Sequence, residues 1–132
     1  MGAYGQSKLA CLMFAYELKK RLEKAGSNVI AVSSHPGVSK TNLFTNIPKV
    51  AQFLMSPLLP IFTHLPEYAA LPTLYAALGP DVKSGDYFGP TGFNGLKGKP
   101  GKVKSKPHSY DEKIASELWD ASEKLTGEKF VL

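Results

Sequence analysis

The chain has 132 residues, of which 43% are hydrophobic and 20% charged, proportions typical of globular proteins that exclude global disorder and collagen-like repeats. A single cysteine, Cys11, excludes an internal disulfide framework and a cysteine-rich metal site, and it favours a reducing, cytoplasmic location. The net charge is +5, but Arg21 is the only arginine, so the composition does not favour nucleic acid as a partner.

Apolar spacing predicts a helix over residues 4–25, which Gly26 ends. The next segment, residues 28–33, is apolar without strict alternation, which is typical of a strand covered on both faces of a parallel sheet. Pro36 and Gly37 end this strand. A helix followed by a short buried strand predicts an α/β fold.

The middle of the chain is apolar but interrupted by prolines, so residues 43–64 are predicted to form a long loop with short helical pieces. A helix is predicted over residues 66–78, and Pro72 inside it is expected to kink it or delay its start. A short strand between turns is predicted over residues 85–90. The chain contains no uninterrupted apolar stretch of about 20 residues, so no membrane span is predicted.

The C-terminal part is predicted to be a loop followed by a helix. Residues 91–107 are rich in glycine, lysine and proline, which favours a loop. Ser109 and Glu112 match the S-x-x-E pattern of a capping box and predict a helix over residues 110–125. Because two strands alone would leave exposed edges, residues 1–132 are predicted to be a single partial domain of a larger α/β protein.

Tyr4 and Lys8 are the first candidates for catalysis, because residues four apart share one face of a helix. An ammonium group favours the ionised form of a nearby phenol, and such a pair can move a proton to or from a substrate oxygen. Tyr16 and Lys20 have the same spacing. Because Tyr16 belongs to the apolar stripe, we interpret this second pair as a core-edge tyrosine beside a surface lysine.

The surroundings of Tyr4 resemble a known family. Residues 3–10 are AYGQSKLA, residues 35–37 are HPG with Thr41 after them, and residues 85–90 are GDYFGP. In this order the motifs resemble the short-chain dehydrogenase/reductase family, and more narrowly its retinol dehydrogenase and protochlorophyllide reductase-like branch, over nearly the whole chain. The resemblance implies an α/β fold in which this chain is the C-terminal portion of a Rossmann-type, doubly wound parallel sheet.

The resemblance also implies an activity. The chain is expected to belong to an oxidoreductase that transfers hydride between NAD or NADP and a small-molecule carbonyl or alcohol of hydrophobic character. The branch favours NADP over NAD. Tyr4 matches the family's catalytic acid or base, Lys8 matches the lysine that assists this tyrosine and holds the nicotinamide ribose, and Ser7 matches a residue that shapes the site.

Further positions acquire roles from the same resemblance. Pro36, Gly37 and Val38 match the turn that lies against the nicotinamide ring, and Thr41 matches a hydroxyl that reaches the cofactor. The helix over residues 4–25 matches a homodimer interface. The apolar segment 43–64 matches the variable substrate loop, with these candidate residues: Leu43, Phe44, Phe53 and Leu54.

The chain departs from the family pattern in two ways. Cys11 stands where this branch usually has asparagine, which affects packing more than chemistry. The glycine-rich G-x-x-x-G-x-G fingerprint, the residue that selects NAD or NADP and the catalytic serine are absent from the sequence. The chain alone is therefore expected to lack the dinucleotide-binding half and to be inactive. The alternative is a non-catalytic truncated remnant or a protein-interaction module.

The remaining candidates favour ordinary explanations. The three histidines have no metal-ligand spacing, so no metal is expected: His35, His64 and His108. Five lysines between residues 97 and 106 predict a solvated loop, with an anion or nucleic-acid contact as the alternative. The apolar segment 53–62 is interpreted as a substrate lid, and contact with a membrane surface is the less favoured alternative.

Overall fold

The computed structural model describes residues 2–38 and 65–131. The chain divides into two compact units, whereas the sequence predicts a single partial domain. One unit comprises Met1–Ser33, Lys83–Asp86 and Lys104–Leu132, and the other comprises Ser34–Val82 and Tyr87–Val103. Within the described residues, the α-helices and strands are, in chain order, α1 (Ala3–Lys24), β1 (Ser33–Ser34), α2 (Pro66–Leu78), β2 (Tyr87–Gly92), β3 (Lys97–Lys102) and α3 (Glu112–Thr126).

In the first unit, α1 packs against α3 through aromatic and apolar side chains. Trp119 of α3 is 1% exposed, and its ring stacks on Phe14 of α1 with centroids 4.5 Å apart and planes 10° apart. The Arg21 guanidinium lies 4.5 Å from the Trp119 ring centroid. Arg21 Nε also donates to Glu17 Oε1 at 2.8 Å, so the buried Glu17 carboxylate is paired. The ring stack and the Arg21–Trp119 contact join the two helices of this unit, whereas the Glu17–Arg21 ion pair lies within α1.

Helix α3 begins at a different residue from the one that the sequence predicts. Asp111 is the N-cap, and its Oδ1 accepts from the Ile114 backbone N–H at 3.0 Å. The predicted capping box is wrong, because Ser109 lies in the 3₁₀ turn Pro107–Tyr110 that precedes the helix. The Ser109 side chain is buried, and its hydroxyl donates to the Lys106 carbonyl at 2.7 Å.

Removal of the Asp111 cap is expected to cost stability. Asp111→Ala deletes the acceptor of the Ile114 N–H, and the loss of an N-cap costs about 1 kcal/mol in unfolding free energy, within a range of about 0.5 to 2. Urea denaturation followed by circular dichroism measures this change. Asp111→Asn keeps an acceptor at the same position and serves as the control. An alanine variant as stable as the asparagine variant would contradict the assigned cap.

The sheet has the strand order β1-β2-β3 and is mixed rather than wholly parallel. The β2 and β3 strands pair antiparallel, with Phe88 opposite Lys102 and Gly89 opposite Gly101. Asn94 and Gly95 connect them with φ values of 53° and 84°, conformations that a tight hairpin requires. The predicted loop over residues 91–107 is therefore wrong within Lys97–Lys102, because pairing with β2 overrides the low strand propensity of glycine, lysine and proline.

The predicted strand over residues 28–33 is also wrong in extent. The strand begins only at Ser33, whose N–H donates to the carbonyl of Asp86, the residue before β2, at 3.0 Å. Val29 is 64% exposed and Ile30 is 50% exposed, so these side chains are not covered on both faces. Residues 28–32 therefore have the composition of a buried strand, but Val29 and Ile30 are not buried as that composition predicts.

The remaining bounds differ by small shifts. Helix α1 covers Ala3–Lys24 where 4–25 is predicted, and α3 covers Glu112–Thr126 where 110–125 is predicted. Strand β2 covers Tyr87–Gly92 in place of 85–90. Helix α2 starts at Pro66 without delay and continues through Pro72, whose side chain is buried. Within residues 2–38 and 65–131, no helix has both the length and the apolar character needed to cross a membrane.

Candidate functional site

The first part of the candidate site lies on the first two turns of α1. The preceding Gly2 offers no side-chain cap, so the helix start is held by backbone bonds such as that from the Gln6 N–H to the Gly2 carbonyl at 3.1 Å. Tyr4, Ser7 and Lys8 are all exposed on these turns. Their side chains are therefore open to a ligand rather than used in the core.

Tyr4 and Lys8 are brought together as their spacing predicts. The Lys8 Nζ atom lies over the Tyr4 ring, 5.6 Å from its centroid, which is within the range of a cation–π contact. The Tyr4 side chain is 68% exposed. Ser7 Oγ donates to the Tyr4 backbone carbonyl at 2.8 Å, so this hydroxyl supports the helix turn that carries the phenol. The arrangement presents a phenol and an ammonium group side by side.

The competing pair, Tyr16 and Lys20, is used for packing in the first unit. The Tyr16 ring stacks on Tyr110 with centroids 5.1 Å apart, and its hydroxyl lies 3.0 Å from Ser105 Oγ. Lys20 Nζ donates to Glu112 Oε2 at 2.8 Å. The Tyr16 hydroxyl and the Lys20 ammonium group thus have hydrogen-bond partners within the protein, whereas the side chains of Tyr4 and Lys8 are exposed.

The second part of the candidate site is the turn after β1, formed by Pro36, Gly37 and Val38 in the second unit. Gly37 has a φ of 72°, a conformation that side chains with a Cβ rarely adopt. A Cβ at this position would lie 2.5 Å from the Leu96 carbonyl oxygen. The Val38 N–H donates to that same oxygen at 2.9 Å. The β2–β3 hairpin therefore holds the turn through Leu96.

His35 precedes this turn and contacts it directly. Its backbone N–H donates to the Phe88 carbonyl at 2.9 Å, and its Nδ1 accepts from the Gly37 N–H at 3.3 Å. Burial of the imidazole lowers the pKa of His35 from its usual value of 6.5. The ring is therefore neutral at pH 7, as an acceptor at Nδ1 requires.

The two parts of the candidate site belong to different compact units, and each part is assembled within its own unit. The predicted cofactor hydroxyl, Thr41, lies outside the described residues. The same is true of the predicted substrate-loop residues: Leu43, Phe44, Phe53 and Leu54.

Two contacts of the turn are not predicted from the sequence. The Leu96 carbonyl reaches the turn only because residues 97–102 form β3, and this segment was expected to be a loop. The signal for the hairpin was the Asn94–Gly95 pair, a dipeptide that favours tight turns between strands. The second contact joins His35 to Gly89, where a Cβ would overlap the imidazole ring. No local pattern in the sequence indicates that contact.

No family model matches the sequence. Retinol dehydrogenase 13 of Homo sapiens is 40% identical over 95% of this chain and 36% of its own length. The short-chain dehydrogenase TIC 32 A of Brassica napus is 35% identical over 93% of this chain and 36% of its own length. The chain thus spans about a third of the length of these relatives.

A solved structure has the same fold. The crystal structure of an uncharacterised protein from Mycobacterium paratuberculosis matches with a TM-score of 0.74 and 36% identity, over 98% of this chain and 40% of that protein. The predicted fold class is confirmed in the form of a partial Rossmann-type α/β fold, with the correction that the sheet is mixed.

The comparisons overturn the predicted cytoplasmic location and bear out the resemblance to the family. The Brassica napus relative is by name chloroplastic, which contradicts a cytoplasmic location as the default for proteins similar to this chain. One cysteine is too weak a basis for that assignment. The relatives and the solved structure each match more than nine-tenths of the chain. The resemblance to the short-chain dehydrogenase/reductase family is therefore confirmed, as a match of this chain to part of such proteins.

Proposed function

We propose that this chain supplies part of the active site of an NAD(P)-dependent oxidoreductase, acting on a small carbonyl or alcohol substrate. The observation that carries the proposal is the exposed Tyr4–Lys8 pair at the start of α1. The similarity to the relatives named above supports it, because they are dehydrogenases by name.

Tyr4 and Lys8 have complementary chemical roles in this proposal. The Tyr4 hydroxyl gives a proton to the substrate oxygen in reduction and takes one from it in oxidation. The Lys8 ammonium group stabilises negative charge on the phenol oxygen, since opposite charges attract strongly at short range. Ser7 holds the Tyr4 backbone through its 2.8 Å bond and so keeps the phenol on its turn.

The donor groups present fit the nicotinamide end of the cofactor. A phenol hydroxyl and an ammonium group, both open to solvent, are suited to the two hydroxyls of a ribose. When bound, the nicotinamide supplies or accepts the hydride. Pro36, Gly37 and Val38 would lie against its ring, and Thr41 would reach it from the following segment. The sequence contains no glycine-rich turn for the pyrophosphate.

The substrate is proposed to be apolar. One relative is by name a retinol dehydrogenase, and retinol is a hydrophobic alcohol. The segment 43–64 is rich in apolar residues and is proposed to line the substrate, through Leu43, Phe44, Phe53 and Leu54. NADP is proposed as the cofactor in preference to NAD, and NADPH is therefore expected to bind more tightly than NADH.

A second function, a protein-interaction module without catalysis, is favoured by one observation. Val29 and Ile30 are 64% and 50% exposed although their segment has the composition of a buried strand. Such exposed apolar side chains beside a strand are suited to association with another protein surface. A homodimer formed through α1 would be another association of this kind. Analytical ultracentrifugation measures self-association of the chain.

Titration of the chain with NADH and NADPH, followed by nicotinamide fluorescence, tests the oxidoreductase proposal. We expect weak but saturable binding, because the sequence contains no glycine-rich turn for the pyrophosphate. We expect Lys8→Ala to raise Kd roughly tenfold or more, because hydrogen bonds from charged groups contribute about 1.5 to 3 kcal/mol. Tyr4→Phe removes only a neutral hydroxyl and is expected to raise Kd less.

The matched control is Lys20→Ala, which removes the lysine of the second pair with the same spacing on the same helix. Lys20 is bonded to Glu112, so this variant is expected to bind both dinucleotides as the parent chain does. Equal loss in Lys8→Ala and Lys20→Ala would show a general charge effect and contradict the site. No binding by the parent chain would favour the interaction module.

A further inference from the structure

We propose that His35 is a positioning residue for the turn formed by Pro36, Gly37 and Val38. The inference deepens the proposed function in one respect, since the role of this turn as a nicotinamide contact rests on that proposal. The bonding of His35 to the turn does not depend on it.

The bonds of His35 connect the turn to the sheet. Its backbone N–H is fixed to the Phe88 carbonyl of β2 at 2.9 Å. From that anchor its side-chain Nδ1 accepts from the Gly37 N–H at 3.3 Å. The next amide, that of Val38, is held by the Leu96 carbonyl at 2.9 Å. Two successive amides of the turn are therefore held, one by the imidazole and one by the hairpin.

The packing around the imidazole leaves it little freedom. A Cβ placed on Gly89 would overlap the ring, and a Cβ on Gly95 would lie 3.5 Å from its Cε1 atom. The Tyr87 ring lies 5.1 Å away, centroid to centroid, with the planes tilted by 35°. The ring therefore occupies a slot that exists because residue 89 is glycine, and the slot directs Nδ1 toward the turn.

The contact requires a neutral ring, which makes it sensitive to pH. An imidazole that accepts at Nδ1 carries its one proton on Nε2, and protonation of Nδ1 replaces the acceptor with a second donor facing the Gly37 N–H. Among residues 2–38 and 65–131, the titratable group seen in contact with the ring is the Tyr87 phenol of β2, and the hairpin contributes Gly95, which carries no charge. Burial lowers the pKa of His35 below 6.5.

The sign of the effect follows from this shift. The unfolded chain takes up the proton near its ordinary value of about 6.5, whereas the folded chain takes it up at lower pH. The contribution of neutral His35 to stability is therefore complete above about pH 6.5 and is lost as the pH falls toward the folded pKa. The hold on the Gly37 amide is lost at lower pH, as the folded ring itself takes up the proton around the folded pKa.

NMR spectroscopy of the ¹⁵N-labelled chain between pH 5 and 8 tests the inference without any cofactor. We expect the Gly37 amide resonance to titrate together with the His35 imidazole resonances, with a midpoint below 6.5. In His35→Asn the side-chain oxygen replaces Nδ1 as the acceptor. This variant is expected to keep the Gly37 amide protected from hydrogen exchange and to remove its titration.

His35→Phe is the complementary variant, because it keeps a ring in the slot but has no acceptor. Its Gly37 amide is expected to exchange roughly tenfold faster or more than that of the asparagine variant, at a pH where the parent ring is neutral. A Gly37 resonance that does not follow the imidazole titration would overturn the inference. So would equal Gly37 exchange rates in the phenylalanine and asparagine variants.

A second arm separates this inference from the proposed function. NADPH affinity is measured at pH 7 and pH 5.5 for the parent chain and for His35→Asn. We expect the parent chain to lose affinity at the lower pH by a larger factor than the asparagine variant. If the parent chain binds no dinucleotide at either pH, the proposed function fails, and the NMR result alone decides the positioning role of His35.

Discussion

Replacement of Trp119 with alanine is expected to lower the free energy of unfolding by about 3 to 5 kcal/mol, the usual cost of truncating a buried aromatic side chain. Trp119 is 1% exposed and stacks on Phe14. The substitution also removes the contacts of its ring with Arg21 and Phe130. The packing of α1 against α3 therefore depends heavily on this one side chain.

Urea denaturation followed by far-ultraviolet circular dichroism measures the effect without relying on the fluorescence of the substituted residue. Leu125→Ala on the same helix is the control, since Leu125 is 87% exposed and an exposed substitution changes stability by no more than about 0.5 kcal/mol. Similar losses in both variants would contradict the packing described for Trp119.

Trp119→Phe separates the stack from the hydrogen bond of the indole. The indole N–H donates to Glu123 Oε1 at 2.9 Å. This bond is the largest of the influences that lower the pKa of Glu123. The phenylalanine variant is expected to retain most of the stability and to raise the pKa of Glu123 toward its ordinary value, which NMR titration of the carboxyl carbon measures.

Gly37→Ala is expected to destabilise the second unit by about 2 to 5 kcal/mol. Part of this is conformational, because a left-handed backbone costs a residue with a Cβ about 1 to 2 kcal/mol. The rest is steric, since the added Cβ would lie 2.5 Å from the Leu96 carbonyl oxygen and 2.7 Å from Pro90 Cγ. Overpacking of this kind costs about 1 to 3 kcal/mol.

Gly26→Ala provides the matched control for the steric part. Gly26 has a φ of 68°, close to that of Gly37, but a Cβ there meets nothing within 4 Å. Its substitution is expected to carry only the conformational cost of about 1 to 2 kcal/mol. Thermal unfolding of both variants measures the difference. Equal destabilisation would show that the turn does not approach Leu96 as closely as described.

The helices were the part of the fold that the sequence predicts well, and particular residues show why. Helix α1 has its apolar residues at helical spacing up to Leu22 and a glycine at position 26, so its extent follows from local signals. The start of α3 was misplaced because Ser109 and Asp111 both suit a cap. The choice of Asp111 depends on the preceding 3₁₀ turn, in which the Ser109 hydroxyl is already bonded to Lys106.

The strands were predicted less well, because strand pairing is a property of two segments. Lys97–Lys102 has the composition of a loop and becomes β3 through its pairing with β2. Residues 28–32 have the composition of a buried strand, yet Val29 and Ile30 are exposed. In both segments, strand formation depends on whether another strand lies alongside and not on the composition of the segment itself.

The sequence by itself determined the family motifs and the Tyr4–Lys8 pair, because a helix places residues four apart on one face whatever surrounds it. The chemistry proposed for this pair follows from the same local spacing. Only the tertiary structure decided the support of the turn after β1, which comes from the His35 imidazole and from the Leu96 carbonyl, 58 positions beyond the Val38 amide that it binds. Contacts between residues so far apart depend on the folded path of the chain, which no local pattern encodes.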